Sequence, residues 1–309
     1  MTSPVAVVNP KAANGATGRQ WPRLAKLLGD ALGHFTPVFT AHSGDGIRLA
    51  RQAIEQGAEL VISVGGDGTH NEVLNGLFDS NGLRNPASRM AVVPAGTGGD
   101  LRRSLGLPDN QRQIVAHLAE GRRRLDVGRL DFTTDEGEPG SRYFLNVSSC
   151  GVSGKVVDVV NSSGKWLGGR LSFAIGSARA LAGYRDQPIR LRLDGGEPRE
   201  LSITALAVAN GQYFGGGMRV APAAEMDDGV LDVTIWRGFT LADFVLKSAS
   251  LYSGSHLKLP GVESHRASRV EAESPETVLI DLDGERPGRL PAVWQIVKGA
   301  LWLQGANVR

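Results

Sequence analysis

Apolar and polar positions follow two different rhythms along the 309-residue chain. Over the first 120 residues, short apolar runs alternate with stretches of helical spacing. PVAVVNP, TPVFTA, AELVISV and RMAVVPAG read as strands. TGRQWPRLAKLLGDAL, GDGIRLARQAIEQG (closed by Gly57), THNEVLNGLFD (with Thr69 as its N-cap), GGDLRRSLG and PDNQRQIVAHLAEG read as helices. Strand and helix in turn imply βαβ units and a parallel sheet, which binds ligands beyond the carboxyl ends of its strands.

After about residue 125 the period drops to two. In QPIRLRLDGG, Ile189, Leu191 and Leu193 alternate with Arg190, Arg192 and Asp194. GVLDVTIWRG repeats the pattern with Leu231, Val233 and Ile235. RYFLNVSS, LSITALAVANG, ASRVEAES, TVLIDLDG and AVWQIVKGALWLQ are further strands, and only GRLSFAIGSARALAGY and TLADFVLKSASLYSG read as helices. This half is expected to be a β-sandwich or open antiparallel sheet carrying a helix or two. The division is placed at 125/126, beside the run EGRRR, giving domains 1–125 and 126–309.

Composition narrows the picture modestly. A net charge of +2 offers no bulk attraction to nucleic acid, although Arg102-Arg103, Arg122-Arg123-Arg124 and the Arg19, Arg23, Lys26 group are local basic clusters. The single cysteine, Cys150, excludes an internal disulfide and reads as a core residue. The N-terminus lacks a basic, then apolar, leader pattern, and no run of 18 apolar residues occurs. A cytoplasmic, soluble chain is expected.

The 41 glycines are about twice the usual share, and many stand at the strand ends of the first half. Three loops stand out: residues 9–18 (NPKAANGATG), residues 65–69 (GGDGT) and residues 94–100 (PAGTGGD). Without Cβ atoms, backbone N–H groups turn inward and reach phosphate oxygens, and the following helix N-terminus favours the negative charge. Three such loops at one end of a parallel sheet point to a nucleotide site. Neither G-x-x-x-x-G-K-[ST] nor an early G-x-G-x-x-G is present, which disfavours a Walker NTPase or a dinucleotide oxidoreductase. Asp67 within the second loop would repel bare phosphate. It suits a site where magnesium lies between, or where a proton is handled during phosphoryl transfer.

Together, VVNPKAANGATGRQWPRL, GGDGTHNEVLNGL and VPAGTGGDLRRSLGLP resemble the diacylglycerol-kinase catalytic domain of bacterial lipid kinases, within a superfamily that includes sphingosine and NAD kinases. The resemblance continues through YFLNVSSCGVSG, GKWLGGRLSFAIGSARAL, VANGQYFGGGMRVAPAAEMDDGVLDV and VLIDLDGE. GGDGT is shared across the superfamily; the DDGxLD and DGE elements select the lipid-kinase branch. The resemblance implies an ATP- and Mg²⁺-dependent enzyme with an N-terminal α/β parallel-sheet nucleotide domain. Its C-terminal β-sandwich-like domain would bind the lipid, at a membrane surface met peripherally and transiently.

Carried over by position, the ATP-contacting candidates are Asn9, Thr40, Gly65, Gly66, Asp67, Gly68, Thr69, Asn71 and Thr97, with Asp67 beside the phosphates and Asp100 a further catalytic candidate. Asp283 or Glu285 of DLDGE matches the base that takes the proton from the lipid hydroxyl; the sequence leaves both open. Asp228 matches the side-chain ligand of a structural Mg²⁺ site completed near Glu225 and Val230, and Lys165 a basic supporting position. Trp166, Phe173 and Phe214 are candidates for lining the lipid cleft. One departure stands out: the family's third loop reads G-T-x-N-D, and Gly99 occupies the asparagine position. A kinase of a soluble acceptor such as NAD and a binding protein without turnover are the alternatives, and an exposed strand edge in the second half offers a surface for pairing two chains.

Overall fold

In the computed structural model, residues 3–156 and 183–305 are described. Lys165, Trp166, Phe173 and most of the helix expected over GRLSFAIGSARALAGY lie outside them. The chain divides into two compact units, residues 1–127 with 298–309 and residues 128–297. The pattern predicts one domain over 126–309, whereas the C-terminal segment from residue 298 packs with the first unit. Its partner strand explains this, because long-range pairing rather than local pattern decides where a terminal strand docks.

The first unit contains β1 (Val5–Val8), α1 (Ala16–Leu32), β2 (Thr36–Phe39), α2 (Asp45–Glu55), β3 (Leu60–Gly65) and α3 (Asp67–Leu77). The short pair β4 (Phe78–Asp79) and β5 (Gly82–Leu83) follows, then β6 (Arg89–Pro94), α4 (Asp100–Ser104) and α5 (Gln111–His117). β2, β1, β3 and β6 lie side by side, all parallel. The end of the last strand, Trp302 to Gln304, adds to β6, also parallel. Ala6, Val8, Ile62, Val64, Ala91 and Val93 share one face with Leu24 and Leu28 of α1, Val115 of α5 and Leu118 at its C-terminal end. The alternate positions turn to α2 and α3, as the period-2 geometry of strands requires.

The second unit begins within β7 (Arg122–Thr133) and continues through β8 (Pro139–Phe144), β9 (Val147–Gly151), β10 (Gln187–Leu193), β11 (Arg199–Ile203) and β12 (Ala205–Ala209). The small hairpin β13 (Tyr213–Phe214) and β14 (Met218–Arg219) leads to β15 (Leu231–Trp236) and the helix α6 (Leu241–Ser253). β16 (Val262–Ala267), β17 (Arg269–Glu273), β18 (Ile280–Leu282) and β19 (Arg289–Gln304) complete it. One antiparallel sheet runs β11-β10-β17-β19, with β7 on β19 and β8 on β7; the second runs β16-β15-β12-β9-β18. Leu130, Phe144, Cys150, Ile189, Leu206, Val233, Val270, Ile280 and Trp294 are packed between the sheets, so the unit is a β-sandwich. Burial pushes the Cys150 thiol up to about 12, in keeping with a core residue.

Candidate active site

At the carboxyl ends of β1, β3 and β6 the three glycine loops are tied together. Asn9 Nδ2 donates to Thr69 Oγ1 (3.1 Å), while Asn9 Oδ1 accepts from the Lys11 N–H (3.0 Å). The Ala95 N–H donates to the Gly65 carbonyl (2.6 Å), and a Cβ on Gly96 would lie 2.5 Å from the Gly66 Cα. No side chain fits between the second and third loops at that point, so glycine there serves loop packing as well as ligand approach.

Asp67 is the first residue of α3. The helix therefore starts two residues before the expected N-cap, Thr69, whose buried hydroxyl is taken by Asn9 instead. The two Asp67 carboxylate oxygens accept the backbone N–H groups of Asp100 (3.2 Å) and Leu101 (3.3 Å). Asp67 thus caps the helix that leaves the third loop, a role the sequence did not suggest. Burial pushes its carboxyl above the ordinary value, opposed by those N–H groups and by the Arg103 guanidinium. Asp100 is buried and pairs with Arg103 (3.0 Å), which also donates to the Gly98 carbonyl (2.7 Å).

Gly65 is buried, Gly66 and Gly68 are half-buried, and Thr97 is exposed on the third loop. Thr40 is buried at the end of β2, its N–H donating to the Val8 carbonyl. Asn71 Oδ1 accepts from Asn75 Nδ2 (3.1 Å) one turn along α3. Its neighbour Glu72 accepts the N–H groups of Gly44 (2.7 Å) and Gly46 (2.9 Å), supplying the cap that α2 lacks locally. Beneath the second loop, His70 is fully buried against Ser63 Oγ (2.7 Å), and burial lowers its pKa to about 3. It is a neutral packing imidazole near pH 7.

In the second unit, β18 runs into the DGE turn. Asp283 adopts φ 49°, its N–H donating to the Val147 carbonyl (3.0 Å) and its Oδ1 accepting the Val147 N–H (3.0 Å). Leu282 and Glu285 exchange backbone hydrogen bonds, which leaves Glu285 exposed at the surface of the turn. Asp281, which no motif marks, is 3% exposed. Its Oδ1 accepts the Gly284 N–H (2.9 Å) and its Oδ2 the Ser149 hydroxyl (3.2 Å). The signal was a carboxylate at the middle of a strand between Ile280 and Leu282, which alternation sends to the opposite face.

In the EMDDG segment, Asp228 accepts the Val230 N–H (3.1 Å) and pairs with the Arg266 guanidinium; Glu225 is exposed. Asp232, on β15, is 3% exposed, and its Oδ2 has no hydrogen-bond partner. Burial pushes its carboxyl up to about 6, Arg266 lowering it and the charges of Asp228 and Glu225 raising it. A buried carboxylate oxygen with no hydrogen bond, 3.9 Å from the Arg266 Nε and near the charges of Asp228 and Glu225, is oxygen-donor chemistry of the kind a hard divalent cation takes. The residues therefore fit Mg²⁺ in kind, although Arg266 now neutralises Asp228. Among the described residues, no group of three His, Cys, Asp or Glu side chains is arranged to hold a metal ion.

On the outer side of the second sheet, an apolar pocket of about 100 Å³ is lined by Phe214, Met218, Trp236, Phe239, Phe244 and Leu251, among others. Its polar atoms are few. Ser153 Oγ and Trp236 Nε1 are buried without a hydrogen-bond partner, and His256 stacks on Trp236 at 5.5 Å. Of the residues expected in a lipid cleft, Phe214 lies here. No described helix is long and apolar enough to cross a membrane.

A parallel-sheet unit with three joined glycine loops is followed by a β-sandwich with its own carboxylate turn. Two family models divide the chain accordingly: the diacylglycerol kinase catalytic domain matches residues 4–130, and the YegS C-terminal NAD kinase beta sandwich-like domain matches residues 146–304. The chain belongs to this family of diacylglycerol and YegS-like lipid kinases. It is 32% identical over 287 residues to a Chromohalobacter salexigens protein named "Probable lipid kinase YegS-like", covering 90% of this chain and 85% of the relative. A Mycobacterium tuberculosis diacylglycerol kinase is 28% identical over 293 residues, covering 94% and 88%. Solved structures share the fold, two of them as follows. The crystal structure of a Bacillus anthracis diacylglycerol kinase has a TM-score of 0.72 at 22% identity, covering 98% of this chain and 96% of that one. An Archaeoglobus fulgidus NAD kinase in complex with ATP has a TM-score of 0.52 at 14% identity, covering 98% and 94%.

Proposed function

We propose that the protein transfers the γ-phosphoryl group of ATP, with Mg²⁺, to the hydroxyl of a diacylglycerol-like or sphingoid-like lipid. The observation that supports this most is the joining of the three loops through Asn9–Thr69, Gly66–Gly96 and Asp67 with the start of α4. The first unit then serves as the ATP cradle: Asn9, Thr40, Gly65 to Thr69, Asn71 and Thr97 surround the nucleotide, and the helix starts favour its phosphates. Asp67 and Asp100 stand at the phosphate end. Bound Mg²⁺ would supply charge neutralisation of the transferring group, and a structural ion would be held by Asp228 with carbonyls near Glu225 and Val230.

The lipid oxygen attacks the γ-phosphorus as its proton passes to Asp283 or Glu285. The new O–P bond forms while the bond to the β-phosphate bridging oxygen breaks, releasing ADP. The pocket around Phe214 and Trp236 takes an apolar segment of the lipid. α6 brings the protein to the bilayer: Phe244 and Leu251 line the pocket, while Val245, Leu246 and Tyr252 of the same helix face solvent, 62%, 82% and 42% exposed.

The test is ADP release from Mg-ATP with mixed micelles carrying diacylglycerol, sphingosine, ceramide or phosphatidylglycerol, and with NAD as a soluble control. Wild type should turn over with one lipid class, and Asp67→Asn should fall by at least a hundredfold, on the order expected for a group acting on transition-state charge. ADP release stimulated by NAD alone, or by no acceptor, would sink the lipid-kinase reading of this chain.

A further inference from the structure

Asp281 is a buried carboxylate with no part in the chemistry described above, yet its contacts converge on the turn that carries the proposed base. One oxygen holds the Gly284 N–H at the apex of DGE (2.9 Å), and the other holds Ser149 of β9 (3.2 Å). Gly284 lies between Asp283 and Glu285, so the Asp281 carboxylate fixes the backbone from which both project. The neighbouring strand presents only hydroxyl and apolar groups to it. In register along the same face stand Ser149 of β9, Ala207 of β12 and Thr234 of β15. Among the described residues, the charged groups acting on Asp281 are Asp283 and Glu285, and no cation pairs with it.

We infer that Asp281 is a positioning residue of the proposed transfer, holding the DGE turn and setting through its own charge how strongly Asp283 and Glu285 attract a proton. This rests on the reading of that turn as the base. The proton of the lipid hydroxyl still goes to Asp283 or Glu285; Asp281 takes none. An ionised Asp281 raises the basicity of the acceptor beside it, as like charges within one turn must. A neutral Asp281 leaves the acceptor weaker. Burial pushes the Asp281 carboxyl up to about 7, the Gly284 N–H and Ser149 hydroxyl lowering it and the charges of Asp283 and Glu285 raising it. The change of charge therefore falls near neutral pH.

The experiment is the pH profile of kcat/KM for diacylglycerol in mixed micelles at saturating Mg-ATP, each variant read as a ratio to wild type so that titration of ATP cancels. Asp281→Asn keeps the acceptor oxygen for Gly284 but carries no charge. Relative to the Asp281→Asn enzyme, wild type should gain roughly three- to tenfold between pH 6 and 8, the range expected for a base made stronger by one pKa unit. The Asp281→Asn enzyme should lack that gain and stay at the wild-type acid level throughout. Ser149→Ala removes a hydroxyl that favours the charged form, so it should keep the gain and move its midpoint to higher pH. A profile of Asp281→Asn parallel to wild type would overturn the inference, because a purely structural contact lowers activity equally at all pH. Should that variant fail to fold, an unmoved midpoint in Ser149→Ala would overturn it as well. Full activity in both Asp283→Asn and Glu285→Gln would instead remove the base reading itself.

Discussion

Gly99 adopts φ 67° as the residue that caps α4, a left-handed conformation that glycine enters freely and asparagine tolerates better than most residues. The asparagine that the family places here would meet the same backbone requirement, so the departure preserves the loop's path and removes only an amide. Gly99→Asn should therefore fold with its melting temperature little changed. Gly99→Val should lose about 1–2 kcal/mol, the cost of a branched side chain in the left-handed region. Thermal melts of the two variants decide it: equal destabilisation by Asn and Val would contradict the backbone account. Assaying Gly99→Asn beside wild type then shows whether the lost amide affects turnover. At this scale, the glycine turns at the strand ends were legible because turn chemistry is a local signal. The capping of α4 by Asp67 and of α2 by Glu72 was not, since each joins residues about thirty positions apart, and nothing local announces such a partner. Asp281 and Asp232 were missed because the sequence shows a carboxylate but not its burial.

α6 was legible as an element: Thr240 and Asp243 form a reciprocal capping box, and Gly254 closes the helix. What the pattern did not disclose is which apolar residues would remain in water. Phe244 and Leu251, seven apart, turn inward, while Val245 and Tyr252, also seven apart, stay outside with Leu246. If this face enters a bilayer, Leu246→Asp should weaken partition onto diacylglycerol-containing vesicles by roughly tenfold, the equivalent of losing one buried leucine. ADP release from short-chain diacylglycerol dispersed below its aggregation limit should be unaffected. Unchanged vesicle binding, measured by sedimentation, would remove α6 from the membrane-facing surface. A second element was misread outright. LSITALAVANG alternates as one strand, yet β11 and β12 belong to different sheets. The break falls at Thr204, whose hydroxyl donates to Asp186 (2.6 Å) and accepts the Phe239 N–H (3.0 Å). Distant partners, not the local period, decide where the chain changes sheets.

Across the whole molecule, the two units carry buried titratable groups of opposite effect on stability between pH 7 and 5. In the first unit, His70 has its folded pKa lowered to about 3. A neutral buried imidazole contributes stability above its unfolded value near 6.5, and that contribution is lost as pH falls toward the folded value. Dropping from pH 6.5 to 5 should cost the first unit about 2 kcal/mol from His70. In the second unit, Asp281 and Asp232 are raised to about 7 and about 6. A carboxyl raised above its unfolded value near 4 contributes stability below that value, and the contribution is lost as pH rises through the folded pKa. Going from pH 7 to 5 should therefore return on the order of 2 kcal/mol to the second unit from Asp281, with a smaller gain from Asp232. Asp67, also raised, acts against His70 within the first unit. Variants separate these contributions in calorimetry. Asp281→Asn should melt above wild type at pH 8, and the gap should close as pH falls to 5. His70→Asn should show the reverse dependence, keeping its stability on acidification where wild type loses it. If the gap between Asp281→Asn and wild type were constant across this range, the buried carboxyl would not be titrating in the folded protein, and the pH profile predicted for its catalytic influence would lose its physical cause.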